Sequence, residues 1–515
     1  MSAPQSESPP IETPEPPRPV RGQSFAAIAR RQFLRNRLAV AGLAVVFLFA
    51  TIAVWCPLLA TEKPWYIKTV FASDYENAFF SAIDLMQRCE RLAAEPAAAG
   101  QTQREYARAH ALLLARLKEM EASLGGPART ELETLRRDVV RFSAAQTLAA
   151  QAPEEWSRRR GQVEALADPD TAALVPQTLF PAFRGLGPIE VFFLVLWFAV
   201  LFLWLSGLWR RGWRWGGAVL LLPALGLAVA WRVVSPPVQD ITPYRMLIET
   251  PEAPVKYLRA PIPFGENENI TAEANQPPTW MLAAEKRTAR QHTHWFGTDP
   301  NGRDILTRMV YGTRISMLIG IVAVSIYLSI GIVVGAVAGY FRGWIDIGIS
   351  RLIEIVICFP TLFLLLILLA YMSPNIYTIM AVLGLVSWTG VARLERGEFL
   401  RLGNEDFVQA VRALGGSHAR IIFRHILPNA LGPVLVSASF GIAGAILAES
   451  TLSFLGFGVP PDQASWGGLL KDGNDRIQEL WWMVVFPGLA LFTTVTCFNL
   501  VGEGIRDATD PKLMR

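Results

Sequence analysis

Charge and reactive sulfur are what this 515-residue chain has least of. Asp, Glu, Lys and Arg make up 18% of it against 52% hydrophobic residues, and the formal net charge is +4. So small a positive excess gives no reason to expect nucleic acid as a partner. The four cysteines, Cys56, Cys89, Cys358 and Cys497, stand singly, with no C-x-x-C pair. That pattern supports neither a zinc site nor a disulfide framework, and lone thiols are the expectation. No G-x-x-x-x-G-K-[ST] phosphate loop, HExxH, nucleophile elbow or paired-carboxylate site stands out. The chain is therefore expected not to be an enzyme and to bind no metal or cofactor itself. A cleavable signal peptide is not expected either, because a polar leader carrying Pro9, Pro10, Pro14, Pro16, Pro17 and Pro19 precedes the first apolar run.

What the chain has in abundance is long apolar runs, and its mean hydropathy is +0.31. A helix crossing about 30 Å of hydrocarbon needs about 20 mainly apolar residues. On that criterion about eight spans are expected, at 38–59, 189–209, 216–234, 316–340, 352–372, 376–394, 430–452 and 482–503. The fold class is thus an all-α polytopic membrane protein. Arg21, Arg30, Arg31, Arg35 and Arg37 precede the first span, Arg210, Arg211 and Arg214 follow the second, and Arg342 and Arg351 flank the link after the fourth. With Arg393 to Arg424 after the sixth, all lie on one side if the spans alternate. The positive-inside rule makes that side the cytoplasm and places both termini there.

The alternation divides the chain into a cytoplasmic Pro-rich and basic leader (1–37), a first span (38–59), an outer insertion (60–188), two additional spans (189–234), a Pro-rich outer segment (235–315) and a core (316–515). In the insertion, Tyr106, His110, Leu113, Leu117, Met120 and Leu124 recur at steps of four and three. Leu132, Leu135, Val139 and Phe142 do so after Gly125-Gly126-Pro127. Heptad spacing on both sides of a break predicts an antiparallel helical hairpin, with His110 a packed histidine on its seam.

The most informative stretch is the polar loop at 395–429. Asn404 can cap a short helix whose N-terminal end favours Glu405 and Asp406. Phe407, Val411 and Leu414 mark one face, with Val408 beside them, and Gln409, Arg412 and Glu405 the other. Gly415-Gly416 ends the helix, where a left-handed residue is needed. Ser417 can then cap a second helix with an apolar stripe (Ala419, Ile422, Phe423, Ile426) and a basic one (Arg420, Arg424). Pattern alone suits a surface that docks a partner and, equally, helices that lie on lipid headgroups. Outside the loop, Glu449 followed by Ser450, Thr451 and Ser453 near a span end is read either as lining an outer gate or as an interfacial anchor. Asp299, Arg303 and Asp304 are expected to form a cap and local ion pairs, in a turn feeding an interfacial helix before the fourth span.

Gln409-Ala410-Val411, three residues, Gly415, nine residues, then His425-Ile426-Leu427-Pro428 resembles the EAA loop of ABC importer permeases. Gln409 stands where that family has Glu, and Val411 where it has Ala. "RNRLAVAGLAVVF", "HWFGTDPNGRDILTRMVYGTRIS", "AESTLSFLGFGVP" and "FNLVGEGIRDATDPKL" are similar to blocks of C-type permease subunits of dipeptide and oligopeptide ABC importers. Together the resemblance covers 35–59 and 294–515, about half the chain. "APIPFG" resembles the YejE-type branch. The resemblance implies an ABC importer permease core in a prokaryotic inner membrane, interrupted by an inserted extracytoplasmic helical domain. It implies ATP and Mg on separate ABC ATPase subunits, a second, B-type permease subunit and an extracytoplasmic solute-binding protein. Peptides are the implied substrates, with metal chelates as the other possibility. Glu405, Asp406, Phe407, Gln409, Ala410, Val411, Arg412, Ala413, Gly415, Gly416, Arg420, Arg424, Leu427 and Pro428 would then couple to the ATPase. Two other classes are weighed: an ion-driven carrier, and a membrane-anchored scaffold that uses the outer hairpin.

Overall fold

The computed structural model describes residues 25–69, 72–94, 101–141, 152–166, 177–206, 223–231, 244–249, 255–282, 292–372 and 375–509. Its main helices in chain order are α1 (Phe25–Arg35), α2 (Arg37–Leu59), α3 (Ala72–Ala94), α4 (Gln101–Ser123), α5 (Gly126–Arg141), α6 (Ala152–Glu164), α7 (Pro188–Ser206) and α8 (Ile305–Phe341). There follow α9 (Gly343–Ile357), α10 (Thr361–Ala370), α11 (Ile376–Leu402), α12 (Asp406–Ala413), α13 (Leu427–Phe454), α14 (Trp466–Asn474) and α15 (Trp482–Thr509). Two compact units result: the described residues of 1–53, 275–299 and 308–515, and those of 54–274 and 300–307.

Among the described residues, five helices are long and apolar enough to cross a bilayer, or six if α9 and α10 count as one broken span. That is fewer than the eight expected. The apolar part of α7 is the short segment Pro188–Phe202. The run at 216–234 lies largely outside the described residues, with 223–231 helical. α8 begins well before the expected 316 and is a single helix of 37 residues. At about 1.5 Å per residue it is longer than the hydrocarbon is thick. The interfacial helix expected before the fourth span is its first turns, started by Asp304, whose carboxylate accepts from the Thr307 backbone N–H at 2.7 Å. The expected straight span at 352–372 is bent by 78° between α9 and α10. Pro360 lies in that break; it has no N–H to donate and disfavours helical backbone in the residue before it.

In the first unit, α8 and α11 approach at backbone distance along Gly331, Gly335 and Gly339. A Cβ on Gly335 would lie 2.5 Å from the Ala392 carbonyl, one on Gly331 2.6 Å from the Val391 Cβ and one on Gly339 2.6 Å from the Phe399 Cβ. Spacing of four puts all three on one face, the small-xxx-small pattern that lets membrane helices pack closely. At the other edge α2 crosses α15, where a Cβ on Gly42 would meet the Cys497 carbonyl at 2.9 Å.

The second unit holds the heptad segment, and its core corrects the two-helix expectation. Leu113, Leu117, Met120 and Leu124 of the α4 region and Leu132, Leu135 and Val139 of α5 are buried as their spacing predicts. They share that core with Tyr75, Ala82, Met86 and Cys89 of α3 and with Trp156 and Val163 of α6, which makes four packed helices. Phe142 lies outside the described residues. His110 pairs with the Val139 carbonyl at 3.0 Å. Burial, with Arg88 opposing it, pushes the Cys89 thiol up to about 12, an unreactive thiol. The all-α expectation also missed a small antiparallel sheet: β1 (Tyr66–Thr69) lies between β2 (Gln177–Leu179) and β3 (Lys256–Leu258). Strands of three or four residues are too short for alternation to show.

The glycine stripe yields a prediction. Gly335→Val forces a branched side chain into the α11 backbone and destabilises by at least about 1–3 kcal/mol. Gly390→Ala, where a Cβ meets nothing within 4 Å, is neutral. Thermal unfolding of the two variants in detergent checks the contrast.

Candidate functional site

The loop at 395–429 is a structured block rather than a flexible link. α12 ends in a Schellman motif: the Gly416 N–H donates to the Val411 carbonyl at 3.0 Å and the Gly415 N–H to the Arg412 carbonyl at 3.0 Å. The motif needs a left-handed residue, and Gly415 supplies it with φ +76°. Gly416 has a different reason to be glycine, since a Cβ there would lie 2.7 Å from Val411 Cγ1. Ser417 caps the next turn by accepting from the Arg420 N–H. A π-helical stretch, Ile421–Ile426, then runs into α13, with Pro428 in its first turn.

Three loop side chains, Val408, Ile421 and Ile426, are buried against Ala336 of α8, Phe399 and Leu402 of α11 and Ala430 of α13. The apolar faces named from the sequence are therefore displaced. Phe407 is 41% exposed, Phe423 69% and Leu414 87%. The π-helical stretch is one cause, because its wider turn breaks the 3.6-residue register on which the second stripe was drawn. The outward surface carries Phe407, Leu414 and Phe423 together with Arg412, Arg420 and Arg424. Glu405, Asp406, Gln409, Ala410 and Ala413 are also exposed, Val411 and Leu427 half-buried.

Asn404 is not the cap of α12. Glu405 occupies that position without a side-chain cap bond. Asn404 instead donates to the Leu400 carbonyl at 3.2 Å and accepts from the Arg342 guanidinium at 2.9 Å. The Tyr340 hydroxyl and His418 Nδ1 share a hydrogen bond of 2.6 Å. Arg396 of α11 grips Asp346 of α9 with two guanidinium nitrogens, Nη2 at 2.7 Å. The Gln409 amide donates to the Gly403 carbonyl at 3.0 Å. An ionised glutamate has no proton to give there, so the departure from the EAA pattern exchanges an outward charge for an inward tether.

Glu449, Ser450 and Ser453 form a second constellation, deep in the first unit. Glu449 is fully buried, Ser450 5% and Ser453 4% exposed. The Ser453 hydroxyl donates to its carboxylate at 2.7 Å, and those of Ser316 and Ser450 at 3.3 Å each. Ser465 reaches Ser453 at 3.5 Å while capping α14. The carboxylate and the serines around it make one closed arrangement. It is a buried polar hub joining α8, α13 and α14. At the Asp block, Asp304 is a helix cap as expected, while Asp299 pairs with Arg308, a residue that sequence reasoning did not name, in a buried contact of 3.0 Å.

Sequence reasoning missed Glu395. It is fully buried on α11 beside Gly335, and neither carboxylate oxygen has a hydrogen-bond partner among the described residues. It stands one residue from Arg396, so a charge-rich segment disguised it. It also missed the stripe at 331, 335 and 339, although a glycine at every fourth position of an apolar run was visible.

A bundle of helices long and apolar enough to cross a bilayer, with a packed, polar-faced loop between two of them, defines an integral membrane protein. Comparison with known proteins is consistent with that class. The N-terminal transmembrane domain of oligopeptide transport permease C matches residues 24–79, and the binding-protein-dependent transport system inner membrane component matches 331–515. The oligopeptide transport system permease protein OppC of Haemophilus influenzae is 44% identical over 233 residues, 45% of this chain and 75% of that one. The dipeptide transport system permease protein DppC of Bacillus subtilis is 42% identical over 223 residues, 43% and 70% of the two chains. The peptidoglycan transport system permease protein YejE of Agrobacterium fabrum is 36% identical over 259 residues, 48% and 68%. The chain belongs to the family of binding-protein-dependent transport system inner membrane components, as a permease subunit. The ion-driven carrier and the scaffold are not favoured by these relatives.

The hub can be tested directly. Glu449→Ala strands buried hydroxyls and costs about 2 kcal/mol or more, since each unsatisfied buried group costs about 1–3 kcal/mol. Glu449→Gln keeps an acceptor and loses less. Unfolding midpoints of the purified variants should fall in that order.

Proposed function

We propose that this chain is the membrane-spanning subunit of an ATP-driven peptide importer, and that it couples closure of partner ATPases to alternating access through the loop at 405–427. The observation that carries the reading is the two-sided loop: Val408, Ile421 and Ile426 fasten it to the bundle, while Phe407, Leu414 and Phe423 stay exposed among arginines. Large apolar side chains presented on a rigid polar block suit a protein partner. The names of the relatives, which carry oligopeptides and dipeptides, support peptide as the cargo.

In this reading the chain binds no nucleotide. ATP and Mg sit on ABC ATPase subunits that grip the loop from the cytoplasm, a B-type permease completes the pathway, and a solute-binding protein delivers the peptide outside. Both termini are cytoplasmic. Counting 189–209 and 216–234 as spans restores eight, and 60–188 then lies outside as an inserted helical domain. Closure of the ATPases moves the loop, and a block held by a Schellman motif, a cap and a packed underside transmits that displacement as a rigid body. The Glu449 hub, with Ser450 and Ser453, keeps α14 fixed to α8 and α13 at the outer end of the pathway.

The test is reconstitution of the assembled complex in vesicles, with peptide uptake measured against added ATP. Uptake that needs ATP and ignores an imposed ion gradient is expected; uptake driven by the gradient alone would sink the reading. Leu414→Asp combined with Phe423→Asp should leave the chain folded and abolish ATPase co-purification. Gly415→Val should place the chain in the membrane with uptake lost, because a left-handed backbone costs a branched residue about 1–2 kcal/mol and distorts the elbow.

A further inference from the structure

Arg342 has a backbone conformation that only glycine adopts without strain. Its φ is +55° and its ψ −165°, and it donates no cap bond to α9, which it precedes. An exposed arginine has no packing reason to stay in that region. What it gains is reach. Its guanidinium Nη2 donates to Asn404 Oδ1 at 2.9 Å and to the Leu400 carbonyl at 3.3 Å, so the end of α8 holds the junction where α11 becomes the loop. Two residues earlier on the same helix end, the Tyr340 hydroxyl pairs with His418 Nδ1 at 2.6 Å, beyond the glycine elbow. One helix end thus holds both arms of the loop. The apolar contacts beneath the loop, Val408, Ile421 and Ile426 on Ala336 and Phe399, are non-directional, whereas the hydrogen bonds fix orientation as well as distance.

We propose that Arg342 and Tyr340 are positioning residues that clamp the loop to α8, so that a displacement of the loop is delivered to α8 instead of being lost at the elbow. The clamp does not touch nucleotide or cargo; it sets how much transport each ATP drives. It rests on the importer reading above.

The choice of variant separates coupling from folding. Arg342→Gly removes the guanidinium but relieves the backbone strain, which offsets the lost hydrogen bonds, so the chain stays folded. Tyr340→Phe removes one hydroxyl. Asn404→Ala breaks the Arg342 bond from the other side, whereas Asn404→Asp keeps the acceptor for Arg342 while losing the amide's own bond to the Leu400 carbonyl, and so isolates the Arg342 bond as the rescuing contact. In vesicles carrying the complete complex, ATP hydrolysis and peptide uptake are measured together. Arg342→Gly, Asn404→Ala and the Arg342→Gly/Tyr340→Phe pair should keep ATPase activity and lower uptake per ATP by about fivefold or more, the lower end of ordinary coupling energies. Asn404→Asp should retain the wild-type ratio. An unchanged ratio in the double variant, or loss of ATPase binding instead of coupling, overturns the clamp while wild-type uptake keeps the importer reading intact. A wild-type complex without ATP-dependent uptake overturns both.

Discussion

The backbone-to-backbone approach of α8 and α11 is the constraint on which the bundle and its loop stand. In hydrocarbon, lipid tails are as apolar as leucine, so burial alone does not hold two helices together; close packing does. Gly331, Gly335 and Gly339 leave α8 without side chains along the line where it meets Val391, Ala392 and Phe399. The seam ends at the platform of Ala336, Phe399 and Leu402 on which the loop sits. One turn further lie Tyr340 and Arg342, which hold the loop from above. A looser seam would move the platform and the clamp apart together, because both are assembled from the same two helices.

The loop resolves two opposing demands. In the proposed importer reading it has to be stiff, or a push on it would be absorbed locally. It also has to present a surface that is not satisfied within its own chain. Stiffness comes from saturated backbone: the Schellman bonds at Gly415 and Gly416, the Ser417 cap and the Gln409 tether use groups that would otherwise face water. The exposed surface comes from Phe407, Leu414 and Phe423, which in the proposed importer reading a partner ATPase covers. Gly415 serves the first demand, since its φ of +76° lets the Schellman bonds close at the end of α12.

The sequence made the spans of the first unit, the loop, its elbow and the Ser417 cap legible, because each rests on a local rule: an apolar run of sufficient length, a glycine at a left-handed position, a hydroxyl three residues before an N–H. It made the heptads of α4 and α5 legible for the same reason. What it hid was set by contacts distant in the chain. α3 and α6 join the helical core through Met86, Cys89 and Trp156, whose spacing does not stand out from a polar background. The outward turn of Phe423 follows from a π-helical stretch that no periodicity announces. Glu449 was visible as a charge near a span end, but its three hydroxyl donors come from two helices, Ser316 lying 133 residues away. Arg342 showed only as a topological charge, since its strain depends on a backbone angle.

The small sheet ties together the ends of two long excursions of the second unit. β1 pairs with β2 through Ile67 and Leu179, and with β3 through Ile67 and Tyr257, so the chain leaves and returns twice at one place. Closing a long excursion onto such an anchor costs little more than closing a short one, because loop-closure entropy grows only with the logarithm of length. Between β1 and β2 the excursion carries its own core, with Trp156, Tyr75 and Met86 fully or almost fully buried, and so repays its own ordering. That excursion thus closes on itself at the sheet and packs on itself within the second unit.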